Sequence, residues 1–257
     1  ASGLEEAPEA AFVRRLVTPS LFVFASAVAV GILSIVTSAV IARLLGLYDF
    51  GVYATVLSIH GLAAFIARFG IPTATTRHLS EMKEKPDDAR GRLVRASIIL
   101  SLLLSIAIAV PYFLLSGAIA VSIYGQPFLA PLIAISAVAI LSVWALELIR
   151  AVLQGREAIR MWSLLNVVSA AAGLPVAVVA ILLWGLTGAV LSIALIGVVG
   201  GLMAAGALRT GPRRERIRWR STVDCGLFRK LLGFGVPTML SGIVSVPAVW
   251  IATTLLV

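Results

Sequence analysis

The chain has 257 residues, of which 60% are hydrophobic and 13% charged. A soluble domain averages about 45–50% apolar and about 25% charged, so this excess, at a mean hydropathy of +1.05, excludes a single water-soluble core. Disorder is excluded by the apolar, non-repetitive composition, a disulfide scaffold by the lone Cys225, and nucleic-acid binding by charge placement: 21 basic residues against 12 acidic sit in blocks between long apolar runs, the pattern of a membrane protein.

A membrane-crossing helix needs about 18–20 apolar residues to bridge roughly 30 Å of hydrocarbon. In chain order such runs cover 20–42, 51–69, 96–116, 129–149, 163–184 and 187–208, and a seventh begins near Leu231 and is still apolar at Val257. None alternates with a period of two, so each reads as a helix, which satisfies its own backbone hydrogen bonds in lipid. The acidic stretch 4–9 precedes the first span without a cleavage signal, so that span is expected to be a retained anchor. The fold class expected is all-α: a polytopic transmembrane bundle. Its parts are a cytoplasmic segment 1–17, a six-span N-terminal lobe 18–208, a basic cytoplasmic linker 209–230 and the truncated start of a second lobe, 231–257.

Orientation follows from the cations. With the N-terminus in the cytoplasm, Arg14 and Arg15, the group from Arg77 to Arg95, the group from Arg150 to Arg160 and the group from Arg209 to Lys230 all fall inside. Only Arg43 is left outside, and Arg68 lies at the inner end of the second span. The positive-inside rule therefore places the N-terminus in the cytoplasm of a multi-pass protein of the cytoplasmic (plasma) membrane. Two connections are long, 78–95 and 210–230. The second, with Trp219 among its arginines, reads as a solvated linker that touches anionic lipid. The first and seventh spans resemble each other, each following a basic segment and carrying an early proline, Pro19 and Pro237, as expected if a repeated bundle restarts. Gly197-x-x-x-Gly201 marks a close helix contact, and Pro111, Pro175 and Pro247 mark bends.

No catalytic motif is present, neither a phosphate-binding loop nor a nucleophile elbow, and the histidines and the cysteine are too scattered to ligate a metal. The chain is expected to be no enzyme and to need no cofactor. The informative residues are ionisable ones within or beside the spans, since a charge at the bilayer centre costs about 2.5–3.5 kcal/mol and usually faces a cavity or a partner. His60 falls mid-way along the second span, with Arg68 two turns further on the same face. Arg77 follows beyond its inner end. Glu147 and Arg150, three apart, can pair. Arg43 and Asp49 bracket the first outer turn. Each has two readings. The arginines either snorkel to the interface or line a water-filled vestibule that attracts a phosphate or diphosphate. The Glu147–Arg150 pair is structural or functional, and His60 is either an interhelical hydrogen-bonding group or a cavity residue. Asp49 reads as the N-cap of the second span, and Tyr48, Phe50 and Tyr53 as an aromatic belt.

Three motifs carry a family resemblance. Ala42, Arg43, Leu45 and Gly46 lead into Asp49, Phe50, Gly51 and Tyr53, and then Gly70, Ile71 and Pro72 precede a basic loop. Leu153-Gln154-Gly155 is the second motif, and Trp184-Gly185-Leu186-Thr187-Gly188-Ala189 the third. The chain resembles polysaccharide-type flippases of the multidrug/oligosaccharidyl-lipid/polysaccharide exporter superfamily over nearly its whole length. The resemblance implies a V-shaped transporter of two six-helix lobes that moves polyprenyl-(di)phosphate-linked oligosaccharides across the membrane by alternating access. It further implies a cationic cavity drawn from Arg43, Arg68, Arg77 and Arg150, with His60 and Glu147 beside them. The expected partners are the lipid bilayer, the lipid-linked oligosaccharide and the missing C-terminal lobe, with no nucleic acid. Two alternatives stand beside it: a cation-coupled drug exporter of the same superfamily, which a scarcity of carboxylates in the spans disfavours, and a membrane scaffold without transport.

Overall fold

The computed structural model describes residues 8–210 and 225–243. Seven helices follow one another: α1 (Pro8–Arg68), α2 (Ile71–Glu81), α3 (Asp87–Leu114), α4 (Ser116–Ser122), α5 (Leu129–Gly155), α6 (Ile159–Thr210) and α7 (Cys225–Ile243). No strand occurs among the described residues, so the fold is an all-α bundle. Most of the basic linker with Trp219, and the remainder of the seventh span with Pro247, lie outside the described residues.

Four helical stretches are long and apolar enough to cross a membrane, and two of these, Ser20–Glu81 and Ile159–Gly206, run to 62 and 48 residues. That is more than twice the roughly 20 residues a bilayer needs, and each contains a break. Gly46 has φ +77° and Gly185 φ +55°, values that a side chain with a Cβ resists. At Gly185 the chain folds back on itself. Gly188 packs directly on the Ala180 carbonyl, and Gly173 faces Ile196, although in a straight helix residues eight apart lie about 12 Å from one another. At Gly46 the same logic holds: Ile41 and Tyr53 line one cavity. The sequence therefore supplies six apolar segments as read. Asp49 lies three residues past the break at Gly46, inside the first turn of the second half rather than at its N-cap. Pro19 lies within α1, which begins at Pro8, rather than opening it.

The largest departure from the sequence reading is α2. Residues 71–81 form an amphipathic helix after a break at Phe69 (φ +45°) and Gly70 (φ +68°). Pro72 suits its first turn, and Ile71, Ala74, Thr75, His78 and Leu79 are buried, the i, i+3, i+4, i+7, i+8 stripe of a one-sided helix. The connection to α3 shrinks accordingly to 82–86. On α2, Thr75 Oγ1 donates to Ser97 Oγ of α3 at 2.8 Å and Thr76 Oγ1 to the Ala151 carbonyl of α5 at 3.1 Å. Gly155 of α5 lies so close to Thr76 and Leu79 that a Cβ would collide. α7 begins at Cys225 and docks on α2 and the turn before it, where Gly235 meets Phe69 and Gly70 backbone to backbone.

One large apolar cluster unites α1, α3, α4, α5 and α6, from Ile41 and Val56 through Ala120 and Ile133 to Val190. A second unites α2, α3, α5 and α7. Along α5 and α6, Gly197 packs on Ser142 and Gly200 on Leu146. At Gly201, the expected second glycine of the contact, an added Cβ would sit at an ordinary 3.7 Å from Ala145 Cβ. Lys83 Nζ and Glu157 Oε2, 2.6 Å apart, tie the α2–α3 turn to the α5–α6 turn, so both turns lie at one end of the bundle. The turns at Gly46 and Gly185, with α4, occupy the other.

Candidate functional site: a cavity with an arginine in its wall

A cavity of about 410 Å³ opens between α1, α5 and α6, within the range of small-ligand sites. Its wall is mostly aliphatic. α1 contributes Ser26, Thr37 and Tyr53, α5 contributes Arg150, and α6 contributes Trp162, Asn166, Ser169 and Ser192. Trp162, Asn166 and Ser169 share one helix face because they are spaced i, i+4, i+7. Several hydroxyls are already engaged on their own helices: Ser26 Oγ donates to Val23 O, Thr37 Oγ1 to Leu33 O and Ser192 Oγ to Ala189 O, at 2.7–2.8 Å. Ser169 Oγ and Arg150 Nε are buried without a hydrogen-bond partner. Arg150 is the charged member of the described lining, which holds no carboxylate. A planar guanidinium with an unused N–H in an apolar wall suits an anionic oxygen group such as a carboxylate or phosphate.

The expected site residues divide into two groups. Arg68, Glu147 and Arg150 come together. Arg150 Nη1 donates to Glu147 Oε1 at 3.5 Å, with both side chains about one-quarter exposed. Arg68 is near enough for its charge to act on Arg150 and His60. Arg68 and Glu147 line a smaller cavity of about 30 Å³ with Ser101 and Ser105, and Val143 lies in the wall of both cavities.

The other three stand apart. Arg43 is exposed near the Gly46 turn, at the opposite end of the bundle. His60 is buried and its Nδ1 donates to the Ser136 carbonyl at 3.0 Å, while Tyr112 Oη and Ser136 Oγ meet at 3.0 Å. This is an interhelical polar contact outside the cavity lining. Arg77 lies on α2, paired with Glu81 at 2.9 Å and stacked 4.6 Å from the Phe234 ring centre. His78 Nδ1 donates to the other Glu81 oxygen at 3.0 Å. The hydrogen bond from His78, then that from Arg77, push the Glu81 carboxyl down to about 2 from an ordinary 4.5.

Tyr53 was expected in an aromatic belt but is buried and lines the cavity, whereas Tyr48 is exposed as a belt residue would be. The sequence reading missed Trp162, Asn166 and Ser169. An amide inside an apolar span, with an indole and a hydroxyl on the same face, was the available signal.

A family model described as "Polysaccharide biosynthesis protein" matches residues 17–256. A sequence search of curated proteins finds no match. Among solved structures, the chain is similar to a MOP superfamily transporter from Pyrococcus furiosus Vc1 (DSM3638), whose binding pocket is described as having reverse polarity that suggests a different function. The identity is 18% and the TM-score 0.67, over 90% of this chain and 52% of that one. It is also similar to a MATE in complex with Br-NRF (19% identity, TM-score 0.64, 90% and 54% covered). A third similar structure is the outward-facing conformation of a multidrug resistance MATE family transporter (18%, 0.64, 90% and 52%). These likenesses concern the fold, and this chain spans about half the length of each.

Proposed function

The chain belongs to the polysaccharide biosynthesis protein family, and from that premise we propose that it forms the N-terminal lobe of a membrane transporter. The transporter flips a polyprenyl-(di)phosphate-linked oligosaccharide across the cytoplasmic membrane by alternating access. The observation that carries the reading is the cavity between α1, α5 and α6, whose one described charge is the under-used Arg150. At about 410 Å³ it accepts a phosphate group with an adjoining sugar, while the polyprenyl tail stays in lipid. Asn166 and Ser169 offer hydrogen bonds to sugar hydroxyls, and Trp162 offers an apolar face to a sugar ring.

In this reading the lobe covers 18–208, the basic linker 209–230 runs into the first turns of α7 (Cys225–Ile243), and α7 opens a second lobe that completes the cavity. The basic ends of the helices face the cytoplasm, which puts Arg68 and Arg150 where a diphosphate made inside the cell would enter. The alternative, export of organic cations, is disfavoured by the described lining, which offers an arginine and no carboxylate to a cation.

The test is flux of a fluorescent polyprenyl-diphosphate sugar in proteoliposomes. Arg150→Ala is expected to cut it at least about tenfold, since removing a charge-assisted hydrogen bond costs about 1.5–3 kcal/mol. Undiminished flux in a folded Arg150→Ala protein removes the proposal.

A further inference from the structure

Resting on the cavity reading above, we propose that Glu147 is an exchangeable counter-ion. It holds Arg150 while the cavity is empty and passes to Arg68 when a diphosphate takes the Arg150 guanidinium. Three observations carry this. First, the Glu147–Arg150 contact is long, 3.5 Å through a single N–H, at the outer limit of a hydrogen bond. Arg150 Nε is buried and unpartnered, so a turn of the guanidinium toward the cavity offers an incoming anion a donor that nothing else holds.

Second, the two side chains belong to different cavities that meet at Val143: Arg150 lines the large one and Glu147 the small one. Third, the small cavity already holds what a displaced carboxylate needs. Arg68 and Ser101 line it, and Ser101 Oγ is buried with no acceptor. Its volume of about 30 Å³ is above the roughly 10–15 Å³ that one water needs, room for a carboxylate oxygen to turn into.

The exchange has a structural consequence. In the empty state the ion pair lies within α5, between residues three apart, and holds no two helices together. In the occupied state it joins α5 to the second half of α1. Cargo binding therefore adds a cross-link next to the break at Phe69–Gly70, against which α7 packs.

The experiment measures binding of farnesyl diphosphate, and in parallel of inorganic diphosphate, to the protein in neutral-lipid nanodiscs. Glu147→Gln removes the competitor without changing shape and is expected to tighten both ligands by about fivefold, the size of a partly exposed ion pair. Arg68→Gln is expected to weaken binding in the native background and to have no effect beside Glu147→Gln, because its role runs through the carboxylate. Glu147→Asp, which keeps the charge but draws it back by one methylene, is expected to tighten binding by a smaller factor and carries the same test if the glutamine variant does not fold. Unchanged or weaker binding on loss of Glu147, or equal Arg68→Gln penalties in both backgrounds, overturns the exchange. If Arg150→Ala leaves binding intact, the cavity reading fails as well. If inorganic diphosphate binds as tightly as the farnesyl ester, the exchange stands and the lipid-linked cargo falls.

Discussion

His60 shows how one polar residue in a span is assigned by its partner. Its Nδ1 closes on the Ser136 carbonyl, next to the Tyr112–Ser136 hydroxyl contact, so it joins α1 to α5 and lines neither of the two described cavities. His60→Leu removes this interhelical hydrogen bond while the Ser136 carbonyl keeps its helix partner, and is expected to cost about 0.5–1.5 kcal/mol, read as a lower Tm in detergent. Unchanged Tm with lost transport would instead assign it a cargo role. Glu81 is the second case, at the membrane edge. Its carboxyl is held down at about 2 by His78 and Arg77, so the pairing stabilises α2 above the ordinary value of 4.5 and is lost as pH falls toward 2. The Tm difference between native protein and Glu81→Gln is expected to be greatest at about neutral pH and to vanish near about pH 2. It should also shrink with salt, since the pair is exposed. A difference that persists in acid contradicts the assignment. Both residues follow from local chemistry, yet only their partners decide the role. For His60 that partner lies 76 positions away, beyond the reach of spacing arguments.

Among the elements, the six apolar segments and the glycine turns between them were legible because length, composition and chain reversal are local properties. α2 was not. Its stripe is only eleven residues long and carries Arg77 and His78, so it reads as polar loop until packing against α3, α5 and α7 gives its buried face something to cover. The glycine contact was half legible. Gly197 was found, but its companion is Gly200, because helix spacing admits both i+3 and i+4 and the partner helix chooses. The α6 hairpin offers a sharp test. A Cβ added at Gly188 would collide with the Ala180 carbonyl, whereas one added at Gly201 would sit 3.7 Å from Ala145 Cβ. Gly188→Ala is expected to cost about 1–3 kcal/mol through overpacking and Gly201→Ala less than about 0.5 kcal/mol, compared by thermal unfolding in the same detergent. Equal costs would contradict the hairpin geometry.

For the whole molecule, two ends and one lateral cavity organise everything else. The Lys83–Glu157 bridge places those turns together, and in the proposed orientation that end faces the cytoplasm. Single cysteines at Lys83 and Glu157 in a Cys225→Ser background are expected to react with an impermeant maleimide from the cytoplasmic side only, and cysteines at Tyr48 and Gly117 from the outside only. The reverse pattern would invert the topology. The site was legible in its charges, since arginines at span ends stand out in an apolar chain. It was not legible in its uncharged lining, since Asn166, Ser169 and Trp162 look like any helix contact until α1 and α5 are seen to leave space beside them. The central claim is that this space holds the anionic end of the cargo. The most direct measurement is photocrosslinking with a polyprenyl diphosphate that carries its photoreactive group next to the phosphates. Labelled peptides from α6 are expected to contain Trp162–Ser169 and to disappear with Arg150→Ala, whereas labelling confined to the outward-facing Val179, Leu182 and Leu183, or unchanged by loss of Arg150, would contradict the account.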